Sequence, residues 1–428
     1  MPHEAARMKR ASLWRASLLA IVAVAAVLPC TALAQAMALA QVVAEVQRVN
    51  PQVRGARFRW ESAQHQIIQN YTPVDPQFAF SNLDSWRGVN DAGEQSMLFT
   101  QALQFPGKGL LQGRNARRTA GIAHLTYLAA VRDITAQAKT AYYQIQLDLA
   151  LNDLMTENVA NLARVLKVTQ IAYTANLATQ GDYINAKFAL EADRELVRQQ
   201  AVAIANDKTA LNILLDRKPD EPLQVDLNFD LATFETSLDQ VIDRAVSARQ
   251  EILEAALAQD NQNTAVTLAE LEYAPDYTLG LGYDHFLSAN FAPALNHNKD
   301  WNLEVSFNLP IFFWAKNEDI RRAHRDLDAA REDLDSIRTQ TAGQVTVLYR
   351  QILRARETAT LYQHTLIPLA HQAFEVMLIS YQGGKSDFTT LISTFRQQSD
   401  ARVTYLQAVN QLLAQKVALE QAAGGSLQ

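Results

Sequence analysis

The segment Trp301-Asn-Leu-Glu-Val-Ser-Phe-Asn-Leu-Pro-Ile311 constrains the chain more than any other. Its odd positions are Trp301, Leu303, Val305, Phe307, Leu309 and Ile311, with Asn302, Glu304, Ser306 and Asn308 between them. Successive strand side chains point to opposite faces, so the pattern predicts a strand that is apolar on one side and polar on the other. Tyr277, Leu279, Leu281 and Tyr283 repeat it, spaced by Thr278, Gly280, Gly282 and Asp284. About ten such residues, tilted, cross a bilayer as one barrel strand. The two runs predict a hairpin over 275–311 with a polar loop from Asp284 to Asp300 that contains Asn290, Pro293 and Asn296.

An earlier, weaker hairpin is expected over 76–105. Phe78 and Phe80 share one face of a strand from Gln77 to about Ser85, and Met97, Phe99, Leu103 and Phe105 share one face of its partner. Gln101 breaks that apolar row. Gly88, Asn90, Asp91 and Gly93, within Ser85 to Gln95, supply turn chemistry. Two hairpins give four strands. Four strands cannot close a barrel, and open edges are not tolerated in hydrocarbon, so several copies must pool their strands.

The rest of the chain reads as helix. Only 15 Gly and 12 Pro occur in 428 residues, which favours helix as the bulk state. Residues 36–70 are expected to be helical, broken at Asn50-Pro51, because the residue before proline is pushed out of the helical region. Pro106-Gly107-Lys108-Gly109 ends the second strand. A helix from Gln112 to Tyr173, about 60 residues, is roughly 90 Å long and needs coiled-coil support. The chain turns between Asn176 and Asp182 and returns to about Leu215, giving a helical hairpin over 112–215. Lys218 to Pro222 opens a linker over 218–236. Ala245 to Glu272 is expected as one helix. Asn317 to Tyr381 is a second long helix interrupted at Pro368, and Phe388 to about Ala423 is its return, giving a hairpin over 317–423.

The second half replays the first: 35–217 and 237–425 read as two repeats. Tyr183, Leu190, Val197, Ile204 and Leu211 recur every seven residues, and 208 positions later stand Leu391, Gln398, Tyr405, Leu412 and Leu419. The turns match at the same offset, Tyr173 with Tyr381, Asn176 with Gly384 and Ile184 with Ile392. A sustained heptad marks helices that supercoil against neighbours.

Residues 1–34 read as a secretory signal: Lys9, Arg10 and Arg15 form the basic end, Leu18 to Leu28 the apolar stretch, and Ala32-Leu33-Ala34 the cleavage site. The single Cys30 lies inside it, and Pro29 fits a lipoprotein cleavage site poorly, so the mature chain is expected to lack cysteine and any disulfide. Cleavage leaves 35 basic and 44 acidic residues (39 less four, 45 less one), a formal charge of −9 instead of −6. An acidic chain argues against nucleic acid as a partner. No later stretch is apolar enough for a transmembrane helix.

This order of helices, strand hairpin, long helix, turn and returning helix, twice over, resembles the TolC-type outer-membrane efflux proteins along the whole mature chain. The residues that carry the likeness are Tyr173-x-x-Asn176, Asp182-Tyr183-Ile184-x-Ala186, Tyr381-x-x-Gly384, Leu391-Ile392 and the strand-end prolines Pro106 and Pro310. The fold class implied is mainly α with a membrane β-barrel: a homotrimer with a twelve-stranded barrel in the outer membrane of a Gram-negative type envelope, and a periplasmic helical tunnel. The partners implied are a periplasmic adaptor and an inner-membrane pump of the resistance-nodulation-division type. The short ending after Gln421-Ala-Ala-Gly-Gly425 is similar to the branch serving heavy-metal efflux, so heavy-metal cations or drugs are the expected cargo. A duct for type I protein secretion and a periplasmic coiled-coil scaffold are the alternatives.

The turns are the first candidate site. Asn176, Gly383 and Gly384 suit helix ends that need a left-handed residue. Ser386 and Asp387 stand where side-chain oxygens cap a helix start. The likeness implies that these residues and Asp182 meet the adaptor and close the periplasmic mouth, with Asp387 repeated around the pore. Tyr277, Tyr283, Trp301 and Phe307 are candidates for an aromatic girdle and the barrel surface. His364 and His371 lie seven apart on a helix and His285 and His297 share a loop, which gives no structural metal site. Gly280-x-Gly282 lies inside a strand and Gly107-Lys-Gly109 lacks phosphate-loop spacing, so no nucleotide or other cofactor is expected. With no nucleophile–base arrangement, the chain is not expected to be an enzyme.

Overall fold

The computed structural model describes residues 36–84, 92–227, 236–286 and 299–426. The signal segment with Cys30, the turn residues Gly88, Asn90 and Asp91, the loop residues Asn290, Pro293, Asn296 and His297, and linker positions 228–235 lie outside the described residues.

In chain order the elements are α1 (Leu39–Val49), α2 (Pro51–Tyr71), β1 (Gln77–Asp84), β2 (Ala92–Leu103), α3 (Lys108–Thr174), α4 (Gln180–Leu214), α5 (Leu238–Ala248), α6 (Gln250–Leu271), β3 (Tyr277–Phe286), β4 (Lys299–Phe307), α7 (Phe313–Leu361), α8 (Ile367–Gln382) and α9 (Phe388–Ala422). The fold is therefore mainly α, with very long helices and one small antiparallel sheet. α3 alone has 67 residues, about 100 Å at 1.5 Å per residue.

The four strands pair in the order β1-β2-β3-β4, all antiparallel. The register aligns the apolar faces. Phe80 pairs with Met97, Met97 with Tyr283, and Tyr283 with Trp301; one step along, Phe78, Phe99, Leu281 and Leu303 are matched in the same way. Gln101 sits in this sheet without harm because its amide donates to the Val74 carbonyl at 2.7 Å. On the other face, Gly282 leaves room for Asn302 across the ladder: a Cβ there would stand 2.0 Å from the Asn302 Oδ1. The Asn302 amide instead reaches the Asp284 carboxylate at 2.7 Å.

Strand ends differ from the sequence pattern. β4 stops at Phe307, so Leu309 and Ile311 are outside it. Pro310 lacks an N–H for a ladder, and the Asn308 side chain closes the strand base by accepting from the Asp276 N–H at 2.8 Å. β2 ends at Leu103, and the Phe105 N–H donates to the Asp276 carboxylate at 2.7 Å. The two hairpin loops are shorter than expected, because β2 already starts at Ala92 and Asp284 pairs with Asp300.

Each helical half forms a layer four helices wide. Beside the sheet the packing order is α2-α3-α6-α7, and beside the turns it is α4-α3-α9-α8, with α7 packed on α9 between them. The expected helix over 245–272 is two helices. It breaks at Arg249, whose extended backbone (φ −66, ψ 128) repeats that of Asn50 (φ −61, ψ 127). Val42, Val46 and Val53 around Asn50 are buried as Val241, Ala245 and Ile252 are around Arg249. Pro368 interrupts the second long helix as expected. Lacking an N–H, it stands at the start of α8, preceded by a widened π turn over Tyr362–Leu366.

Residues 218–227 are tied down. Met37 bridges Val225 in parallel, and Leu223 and Val225 join Val42, Val46, Tyr142 and Ile145 in one core. A second core, of Leu162, Val165, Ala186, Leu190, Phe374, Tyr381, Phe388, Leu391 and Phe395, joins both helical hairpins near their turns. The heptad positions Leu190 and Leu211, and Leu391 and Leu419, are all buried.

Candidate functional site

The two turns are built by the same hydrogen bonds. In the first, the N–H groups of Ala175, Asn176 and Leu177 donate to the carbonyls of Ile171, Tyr173 and Ala172. In the second, those of Gly383, Gly384 and Lys385 donate to Ile379, Tyr381 and Ser380, each 208 positions on. Asn176 (φ 57) and Gly384 (φ 66) take the left-handed residue that closes this kind of helix end. Gly383 does not: its φ of −82 is open to any residue.

The returning helices start alike. Thr179 and Asp387 are N-caps with φ −88 and ψ 162. The Thr179 hydroxyl accepts from the Asp182 N–H at 3.1 Å, and the Asp182 carboxylate accepts from the Thr179 N–H at 2.9 Å, a reciprocal box. Asp182 thus carries a structural duty at the tip. Asp387 accepts from the Thr390 N–H at 2.6 Å. That backbone bond, helped by the Thr390 and Thr389 groups, holds its carboxyl below the usual range, so a fixed negative charge stands exposed at the turn. Ser386 does not cap: its hydroxyl lies 3.0 Å from the Met377 sulfur, half-buried. Of the expected tip residues, the structure brings Asn176 and Asp182 together at one turn, and Gly383, Gly384, Ser386 and Asp387 at the other.

The sheet residues lie on one surface. Tyr277 pairs with Phe307 and Tyr283 with Trp301, with 4.9 Å between the Tyr283 and Trp301 ring centres. Trp301 and Phe307 are exposed, as are Leu303 and Val305 between them. A sheet face this apolar, left open to water, is unfavourable for a soluble protein and suited to lipid. Beyond β4, Phe312, Phe313 and Trp314 are exposed as well. Phe313 and Trp314 meet edge to face at 5.2 Å.

Sequence reasoning missed the joint that ties sheet to helices. Gly107, at φ 104, turns the chain sharply into α3, and Lys108 follows with only 2% of its surface exposed. Its ammonium reaches Asp276 at 3.1 Å, Glu272 at 3.3 Å and the Ala274 carbonyl at 3.4 Å. A buried lysine is tolerated only with such partners. The signal was present in Pro106-Gly-Lys-Gly109, where a lone cation follows a strand end.

An exposed apolar sheet face, a sheet that ends at β1 and β4 among the described residues, and a long duplicated helical layer are the architecture of an outer-membrane channel. Residues 241–425 match the family model described as Outer membrane efflux protein. The chain is 23% identical over 330 residues to the cobalt-zinc-cadmium resistance protein CzcC of Cupriavidus metallidurans, covering 76% of each. In fold it is similar to the solved structure of CusC, with a TM-score of 0.79 at 16% identity over 91% of this chain and 92% of that one. It is likewise similar to the outer-membrane channel OprN, with a TM-score of 0.77 at 19% identity over 91% and 90%. The chain has the fold of the TolC-type outer-membrane channels, and its second half carries the sequence pattern of the outer-membrane efflux proteins.

Proposed function

We propose that the chain is the outer-membrane exit duct of a tripartite efflux pump. It works as a homotrimer whose twelve strands form one barrel, with the helices as a periplasmic tube beneath. The observation that carries this reading is that every layer ends on the same two flanks. The sheet ends at β1 and β4, the helices beside the sheet at α2 and α7, and those beside the turns at α4 and α8. β1, α2 and α4 belong to the first repeat, and β4, α7 and α8 to the second. Setting one copy beside another brings the two flanks together in all layers at once. The flanks are also apolar: Phe188 of α4 is 71% exposed, and Val376 and Ile379 of α8 are 63% and 66% exposed. Burying each side chain of this kind is worth about 1.5–3 kcal/mol.

The duct does no covalent chemistry. An inner-membrane pump of the resistance-nodulation-division type supplies the energy through a periplasmic adaptor. The adaptor docks at the two turns and biases the tip helices between closed and open packings. Asn176, Asp182, Gly383, Gly384, Ser386 and Asp387 form that docking and gating region. The cargo is a heavy-metal cation. The likeness to a protein named for cobalt, zinc and cadmium resistance supports this. So does the polar sheet face, which carries Asp284, Asp300 and Glu304. Deleting the gene tests both levels. Greater sensitivity to zinc and cadmium, with unchanged sensitivity to dyes and detergents, is expected. Sensitivity to organic compounds alone would move the cargo to drugs, and loss of a secreted protein would move the duct to protein secretion.

A further inference from the structure

A cavity of about 730 Å³ lies at the foot of the sheet, where the strands pass into the helices. Tyr71 and Val74 line it from the end of α2 and the segment after it, with Leu103 of β2, Leu110 of α3, Tyr277 of β3 and Phe307 of β4. Leu103 pairs with Tyr277, and Tyr277 with Phe307. These three stand six residues along their strands from Met97, Tyr283 and Trp301. An even spacing keeps side chains on one side of a strand, so the row belongs to the apolar face. The opposite wall is held over that same face. Gln101 alternates in step with Met97, Phe99 and Leu103, and its amide fixes the Val74 carbonyl at 2.7 Å. Val74, Leu110 and Phe307 are exposed.

Polar groups around the cavity are already engaged. Asp276 is the charged residue of the described lining. Its carboxylate takes the Lys108 ammonium at 3.1 Å and the Phe105 N–H at 2.7 Å. The Asn308 side chain accepts from the Asp276 N–H at 2.8 Å. Asn70 and Thr72 donate back to the Gln66 and Ile68 carbonyls of α2. The described lining includes no lysine or arginine, so it offers a phosphate or carboxylate no cation. What remains is apolar surface around a space within the range of ligand sites, roughly 300–1,000 Å³. The helices are periplasmic and the sheet lies in the outer membrane, so the foot of the sheet is level with the periplasmic leaflet. Hydrocarbon is the apolar material at hand there.

We propose that this cavity holds an acyl chain of a phospholipid from the periplasmic leaflet. Phe307 belongs both to the exposed sheet face and to the cavity, so a chain lying on one reaches the other without crossing water. The headgroup stays outside, and occupancy is independent of its charge. The site depends on the sheet lying in the outer membrane and not on cargo, adaptor or pump, so it can fail while the proposed duct stands. Gly109 of α3 supplies the means of closing it. Gly109 lines the cavity, and a Cβ there would meet the Gln104 Oε1 at 3.6 Å, an ordinary contact. A larger side chain at this position takes up room that the acyl chain would fill.

The intact protein in phosphatidylethanolamine vesicles, doped with a phosphatidylcholine that carries a diazirine on its acyl chain, tests the site by photolabelling and peptide mapping. Adducts are expected on 71–74 and 103–110 as well as on the strand face at 301–305. Doping with a phosphatidylglycerol probe of the same chain should give the same pattern. In Gly109→Leu the adducts on 71–74 and 103–110 are expected to fall about fourfold, the worth of roughly one buried methylene, while those on 301–305 stay level. Leu110→Glu, a change at an exposed position, should lower the same adducts and serves if the first variant fails to assemble. Wild-type adducts confined to 301–305 would overturn the site, because a neighbouring copy or water would then fill the cavity. So would cavity adducts that both variants keep, or that an added apolar dye removes, since the occupant would then be cargo. Adducts on neither segment would overturn the membrane placement as well.

Discussion

Asn176 and Gly384 occupy the same left-handed position at the tips of the two helical hairpins, with φ 57 and φ 66. The six hydrogen bonds around them are matched one for one. The correspondence continues to the far ends of the returning helices, where Asp216 (φ 55) stands 208 positions before Gly424 (φ 83). The two halves are thus equivalent at both ends of the returning helix. A residue with a Cβ in this conformation costs roughly 1–2 kcal/mol, less for Asn. Gly384→Ala is therefore expected to lower stability by about 1 kcal/mol per chain, while Asn176→Gly leaves it level or slightly raised. Thermal unfolding of the two variants side by side checks the pair.

Asp387 has two separable properties. Its carboxylate caps α9, and its charge stands exposed at the turn. Asn caps about as well as Asp, and Ala does not cap at all. Asp387→Asn should keep the melting temperature and weaken the cation preference of single channels in planar bilayers. Asp387→Ala should do the same to the channel and also lower the melting temperature, because the cap is lost. Unchanged ion preference in both variants would remove Asp387 from the pore mouth.

Lys108 holds the sheet to the helices through Asp276 and Glu272. Lys108→Met keeps the buried aliphatic stem and removes the charge, which leaves Asp276 without its cation while Glu272 keeps Lys316 at 3.2 Å. The expected loss is about 1.5 kcal/mol, the worth of a hydrogen bond to a charged group, read as a lower denaturant midpoint in detergent. Asp276→Asn, which still accepts from the Phe105 N–H, should lose less.

Where α3 crosses the start of α6, Arg132 bonds Glu251 and Asp133. Burial opposes ionisation of Glu251. The hydrogen bonds and charge of Arg132, with the charge of Arg249, nevertheless bring its carboxyl down to about 2. A depressed carboxyl contributes stability that is present above its unfolded value, near 4.3, and lost as pH falls through about 2. Acid titration followed by circular dichroism should show wild type losing stability across this window. Arg132→Met should lose much of that dependence.

Much of the fold was legible because physical constraints act on neighbouring residues. The alternation from Tyr277 to Tyr283 and from Trp301 to Phe307 is a strand signature, and Asn50-Pro51 and Pro368 are backbone constraints. The break at Arg249 has neither proline nor glycine. It is set by packing, because Val241, Ala245 and Ile252 repeat the buried positions around Asn50 at an offset of 199, and the heptad comparison at 208 did not reach them. Leu309 and Ile311 continue the alternation beyond the last ladder bond, so pattern alone overran the strand. Ser386 looked like a cap, but Asp387, one residue on, matches Thr179 of the first repeat and took the role.

The pooling of strands between copies is tested most directly by the mass of the purified mature protein in detergent, from light scattering or native mass spectrometry. Three copies per particle are expected, stable only with detergent or lipid present and forming conducting pores in planar bilayers. A monodisperse single chain that stays in solution without detergent would contradict it.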